Sequence, residues 1–284
     1  MNQLWHFLNS EFFSGLLVGT LSAVGGAYGG HLIAKRQKIR DELQQEINNI
    51  NAAIALIFDA INTLLVFKQE AVRPMLEDFS LKLKRYEEFA ENTDDIPEGI
   101  LVNFHIEFLL DAVDPPVVPL ARIESLIFEK IPSHGRLLGA TASMIRCMSA
   151  LNGAVNRRNA FITDMMAKEY QGVEGYSKYF GLVTDRGRVD ETHPSLLEII
   201  ESSMNSTIGF GRIIQKELVK LGKRRARKLG DSAPRINEPN FGKAERSGLL
   251  PNEEVFQNWS ALYREPTDDE PTPVLQRWLK LLSD

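Results

Sequence analysis

The sequence predicts a mainly α-helical protein: a single N-terminal transmembrane helix continuing into a cytosolic helical bundle or coiled coil, then a loop-rich C-terminal tail. Three observations predict it. From Phe12 to Ala34, 23 residues pass without a charged side chain. Downstream, Leu43, Ile47, Ile50, Ile54, Ile57, Ile61 and Leu64 are spaced 4, 3, 4, 3, 4, 3, a heptad core pattern. Elsewhere the apolar residues keep helical spacing, with no strand-rich block, tandem repeat or βαβ alternation.

At 284 residues, 43% apolar and 25% charged, the chain is long enough to bury a sizeable core. The 15 phenylalanines speak against wholesale disorder, and 20 Gly and 13 Pro are too few for a fibrous chain. One cysteine excludes an internal disulfide framework and any multi-Cys zinc site, which fits a reducing compartment. A net charge of −5 does not suit a protein that coats nucleic acid over its whole surface.

A helix over 12–34 spans about 34 Å, enough for the hydrocarbon core of a bilayer. Glu11 bounds it on one side and Lys35, Arg36, Lys38 and Arg40 on the other, with Trp5 and Phe7 where interfacial aromatics anchor. The basic flank predicts a cytoplasmic C-terminal side, with 1–11 outside and the bulk of the chain inside, as for a bacterial inner-membrane protein. A signal peptide would carry its basic residues before the apolar run, and here they follow it. No other stretch approaches 18 apolar residues, so a single pass is expected. The span holds Gly15, Gly19, Gly25, Gly26, Gly29 and Gly30. Each costs about 1 kcal/mol against alanine in a water-exposed helix. Close helix–helix approach offsets that cost in a membrane, and Gly15-x3-Gly19 and Ser22-x3-Gly26-x3-Gly30 are small-xxx-small patterns. Self-association is therefore expected.

Extended backward from Leu43, the 4–3 spacing runs through Arg40, Arg36, Ile33, Gly29, Gly26, Ser22, Gly19 and Gly15. The spacing predicts one continuous helix from about residue 12 to Arg73 with a single contact side. Pro74 would end or kink it. Ile47, Ile50, Ile54, Ile57 and Ile61 are the aliphatic part of that side. They serve either a second copy or the bundle of their own chain, and Phe58, Leu65 and Phe67 widen the stripe as bundle packing requires.

Residues 75–92 read as a second helix, the hairpin partner within a 35–91 unit. Glu87, Glu88, Glu91, Asp94, Asp95 and Glu98 form an acidic run read as a solvated helix end and loop. A bundle unit covers 92–230. Within it Ile100–Val113 is helix or strand, residues 120–131 a short amphipathic helix, and Ser133 the cap of a long helix over 134–170. That helix repeats the 4–3 spacing with Arg158 in one apolar place, and Cys147 beside the face reads as a small buried thiol. Thr192 with Pro194 opens a helix reaching Leu229. The tail, 231–284, offers short helices near 252–263 and 273–282, whose Trp259 and Trp278 could dock a protein partner.

Lys223, Arg224, Arg225, Arg227 and Lys228 put five cations in six residues at a helix end. Some of that charge complements the helix dipole; the excess suits an anionic partner, lipid headgroups if the helix returns toward the membrane and nucleic acid if it does not. With the anchor in place lipid is expected, for this cluster and for Lys35, Arg36, Lys38 and Arg40. His6, His31, His105 with Glu107, and His134 lack metal-ligand spacing, so no metal is expected. No phosphate-binding glycine loop or nucleophile elbow is present, and no cofactor is expected.

Arg188 and His193 stand in Arg-x4-His spacing. This resembles the metal-independent RNase motif of HEPN domains. The resemblance covers those two residues alone and implies that they converge to activate a ribose hydroxyl and stabilise phosphate charge. His193 precedes Pro194 at a helix start, where the family places its motif inside a helix, and Val189 replaces the usual polar residue.

These readings give one leading expectation and two alternatives. The first is a membrane-anchored, self-associating helical scaffold or effector, without catalysis. The others are an anchored RNase using Arg188 and His193, and an adaptor that docks a partner through its tail helices.

Overall fold

The computed structural model describes residues 11–93, 105–133, 135–168, 172–182 and 189–252, with 254, 256 and 259; in the first helix, side chains are described from Gly30 onward except Leu32. The protein is mainly helical, and the described residues contain no strand.

The first helix, α1 (Glu11–Phe67), passes through a π turn (Lys68–Val72) into α2 (Arg73–Thr93) without a non-helical residue. The expected hairpin between residues 35–73 and 75–91 is therefore not formed. A proline ring clashes with the carbonyl four residues back, here that of Glu70. The π turn just before Pro74 relieves this by shifting the hydrogen bonds one residue further: the Arg73 N–H donates to Lys68 O, five residues back.

Two more long helices, α4 (Gly135–Ala167) and α6 (Thr192–Leu229), complete the bundle; the short α3 (Leu120–Ser125), extended by a π turn (Leu126–Lys130), packs Ile123 and Ile127 into the same core. The 4–3 positions are its inner faces. Ile47, Ile50, Ile54, Ile57, Ile61 and Leu64 on α1 are all 0–1% exposed, as are Met144, Met148 and Leu151 on α4 and Ile200, Met204, Ile208 and Ile214 on α6. Each such side chain contributes about 1.5–3 kcal/mol by leaving water. The α1 seam is thus covered by its own chain.

Helix α6 runs antiparallel to α1. Lys68 Nζ donates to Asn205 Oδ1 at 2.8 Å, Gln215 Nε2 reaches Ile54 O at 3.4 Å, and Arg225 pairs with Glu46 at 2.8 Å. At Gly211 a Cβ would stand 3.0 Å from Ile61 Cγ1, so glycine lets the two helices approach. Helix α4 is antiparallel to α6 in turn: Arg136 near its start pairs with Glu217 at 3.4 Å, and Cys147 lies beside Ser206.

Two local expectations change. Ser133 does not cap α4; its hydroxyl donates back to Ile127 O at 2.9 Å and Ile131 O at 3.0 Å, closing the preceding π turn. The described part of Ile100–Val113, residues 105–113, is neither helix nor strand. Its backbone is satisfied by side chains instead: Asn159 bonds both Val113 N (3.1 Å) and Val113 O (2.8 Å), and the Tyr176 hydroxyl accepts from Ile106 N at 3.3 Å. In the acidic run Glu87, Glu88 and Glu91 are exposed on α2, while Asp94, Asp95 and Glu98 lie outside the described residues. A short helix, α5 (Gly172–Phe180), carries Tyr176, Tyr179 and Phe180 into a second cluster with Ile106 and Met165.

The tail is more tightly held than a loop-rich segment suggests. Gly230, at φ 77°, ends α6, and the chain then climbs back along α1. Asn51 donates to Arg235 O at 2.9 Å and accepts from Asn237 N at 3.0 Å. After α7 (Gly242–Arg246), Leu249 O accepts from Lys68 Nζ at 3.0 Å, and Ile236 and Leu249 are buried in the core. Residues 254, 256 and 259 are helical; the expected helix near 273–282 lies outside the described residues. The Phe256 ring packs over Gly209, and the Trp259 ring stands edge-on to Phe210 at 5.0 Å.

By length and composition one helix among the described residues could cross a membrane, the Ile33–Asn92 part of the long helix, with a window of mean hydropathy 2.0. The expectation that 12–34 has no rival therefore needs correcting. Yet 44% of that window is buried inside the protein, where its apolar residues are core. From Gly30 to Glu42, by contrast, every described residue is exposed, Ile33 by 70% and Ile39 by 48%; here α1 is a stem leaving the bundle.

Candidate functional site

The antiparallel register decides where the two cation clusters lie. Arg225 is level with Glu46. Lys228 lies about 4.5 Å further toward the stem and Arg40 about 9 Å below Glu46, at 1.5 Å per residue. The end of α6 and the basic collar therefore share one end of the bundle, the end from which the stem emerges. Lys35, Arg36, Lys38 and Arg40 are exposed, with Lys38 Nζ 3.9 Å from Glu42. In the other cluster the cations divide by role. Arg225 is mostly buried against Glu46 and ties α6 to α1; Lys223 pairs with Glu238 of the tail at 2.9 Å. Arg227 and Lys228 are exposed in the last turn, where the helix dipole presents its negative end.

The expected small-residue face, Gly15, Gly19, Ser22, Gly26 and Gly29, lies on helical backbone, and its side-chain surroundings fall outside the described residues. Gly30 is exposed, and a Cβ there would meet nothing within 4 Å.

Of the Arg-x4-His pair, Arg188 lies outside the described residues and His193 is 0% exposed. The imidazole is stacked on Phe161 at 5.1 Å, with the Tyr179 and Phe79 rings at 4.5 and 5.7 Å, and its Nδ1 is bonded to Tyr179 O at 2.9 Å. So placed, the ring is enclosed by side chains of its own chain. Beside it lies a buried cation that periodicity showed only as a gap: Arg158 is 1% exposed and donates from Nη1 to Asp111 O at 2.9 Å and from Nη2 to Leu109 O at 3.5 Å. Burial pulls the guanidinium below its ordinary value and pushes the neighbouring Tyr179 hydroxyl up to about 12. The cluster is a polar knot fastening residues 105–113 to α4 and α5.

Comparison with protein-family models, curated proteins and solved structures finds no match. Among the described residues no group of three or more His, Cys, Asp or Glu could hold a metal ion. Cys147 is half-buried, and burial raises its thiol. Trp259, read from sequence as a docking residue, spends its ring on Phe210 of its own chain; Trp278 lies outside the described residues.

Burial lowers His193 to about 4, with the positive charge of Arg158 adding to the effect. The folded protein therefore keeps the imidazole neutral where the unfolded chain, near 6.5, takes up a proton. Above pH 6.5 this costs nothing. Between 6.5 and about 4 the unfolded state binds more protons, so folding loses up to about 1.4 kcal/mol per pH unit. Urea unfolding at pH 7.5 and 5.0 should show this loss, and His193→Gln should remove that share of the slope. An unchanged slope would place the ring in water.

Proposed function

We propose that the protein is a membrane-anchored, self-associating helical scaffold or effector that acts through protein contacts or membrane perturbation rather than catalysis. Residues 12–34 span the inner membrane with the N-terminus outside, and the bundle rests on the cytoplasmic face. What supports this is the register of α6: it returns the 223–228 cations to the end where the stem and its basic collar emerge. Cations near an anionic leaflet contribute about 1 kcal/mol each, so both clusters favour one orientation of the bundle on the lipid. Burial of Ile47–Ile61 within the chain leaves self-association to the stem, where the same 4–3 register continues through exposed Arg40, Arg36 and Ile33 toward the glycines.

Single cysteines in a Cys147→Ser chain, crosslinked in membranes, test the association. Gly19→Cys should give efficient dimers and Ile54→Cys, facing α6, almost none. Dimers at neither position would remove self-association from the proposal.

A further inference from the structure

Two glycines buried in the interior of α6, Gly209 and Gly222, make room for the tail. A Cβ at Gly209 would overlap the Phe256 ring, and one at Gly222 would stand 2.9 Å from Ile236 Cδ1. Glycine is a poorer helix former than alanine at such positions, so the two notches weaken α6 while admitting the tail. They lie about 20 Å apart along the helix and about 140° apart round it, so the tail grips α6 on two flanks.

Between the notches the tail follows α1. Asn51 holds Arg235 O and Asn237 N, and the Phe241 ring stands 5.3 Å from Phe58. At the far end Lys68 Nζ bridges Leu249 O at 3.0 Å and Asn205 Oδ1 of α6 at 2.8 Å. Gly248, at φ 65°, turns the chain there, and the Leu249 N–H donates to Ala244 O at 3.0 Å. These anchors are single residues on a thinly packed segment. Ile236 and Leu249 are the only buried residues between 231 and 252. Residues 238–251 and the 209–220 stretch of α6 face one another across a groove of about 850 Å³ instead of packing together. A segment with so few buried apolar contacts opens before the core it lies on.

We propose that residues 231–259 are a releasable strap that opens as one unit about Gly230 while the bundle stays folded. Gly230, at φ 77°, is the hinge, a conformation that glycine adopts freely. Closed, the strap ties α1 and its π turn to α6 and occludes that face of the bundle. Open, it leaves α1 held to α6 by the aliphatic seam and by the Arg225–Glu46 pair. The strap goes beyond the anchoring reading and stands whether or not residues 12–34 span a membrane.

Hydrogen exchange on the full chain in detergent, read by mass spectrometry, tests it. Amides of 235–249, those of Asn237, Glu245 and Leu249 among them, should exchange at least about tenfold faster than the cores of α4 and α6. Gly209→Ala should speed exchange several-fold across the whole of 235–249, not at the Phe256 end alone, without speeding α4. Gly222→Val should do the same from the Ile236 end. Gly153→Ala on α4, where a Cβ meets nothing within 4 Å, should leave the strap unaltered. Strap amides that exchange in step with α4 would overturn the proposal. So would no acceleration in the notch variants, or one confined to the end nearest each substitution. Phe256→Ala withdraws the peg itself and is read in the same way if Gly209→Ala fails to fold.

Discussion

Arg158→Ala should lower the stability of the bundle by about 3–5 kcal/mol, roughly the cost of a large-to-small truncation in a packed core plus two buried carbonyls left without a donor. The guanidinium is 1% exposed, and its Nη1 and Nη2 donate to the carbonyls of Asp111 and Leu109. Truncation leaves both carbonyls short of a partner in a dry setting and opens a cavity beside His193 and Tyr179. Among the described residues, the Asn159 bonds to Val113 are then left to hold that end of the 105–113 segment to α4. Arg158→Met keeps most of the volume and removes the buried charge, so it should cost clearly less than alanine. Urea unfolding of a 35–284 fragment, which keeps every described core residue, measures both. A loss under about 1 kcal/mol for alanine would mean that the knot contributes little.

The second large effect concerns the basic end. In the same fragment, Lys223, Arg224, Arg227 and Lys228 changed together to Glu should weaken sedimentation with phosphatidylglycerol vesicles by at least about 10³-fold, from about 1 kcal/mol per cation removed. Arg225 is left in place because its pair with Glu46 holds α6 against α1. Binding to phosphatidylcholine vesicles should be weak throughout, and binding by the unmodified fragment should fall with salt. Unchanged affinity in the reversed variant would remove these residues from any lipid role.

The helices were legible because their apolar periodicity reports burial directly: the 4–3 positions of α1 from Ile47 to Leu64, those of α4, and the spaced apolar residues of α6 are buried, and Thr192 and Leu229 bound α6 as expected. What joins them was not legible. No residue pattern states that Arg225 lies level with Glu46, so the clusters at 35–40 and 223–228 could be seen singly but not together. Pro74 pointed to a break because its clash is local, whereas the π turn that absorbs it depends on the preceding five residues. Residues 105–113 lack a readable period because their backbone partners are side chains of Arg158, Asn159 and Tyr176, 46–70 positions away. His193 read as a residue near a helix start, and only the fold encloses it, with α2, α4 and α5 each bringing an aromatic ring. The tail's composition suggested loops, yet Asn51 on α1 and Lys68 in the π turn after it pin its backbone.

The central claim, that α1 leaves the bundle as a membrane anchor, is tested most directly by alkaline carbonate extraction of membranes carrying the full chain or one lacking residues 1–34. The account predicts that the full chain stays in the membrane pellet and that the shortened chain is released with its melting transition intact. Release of the full chain by carbonate, or retention of the shortened one, would contradict it.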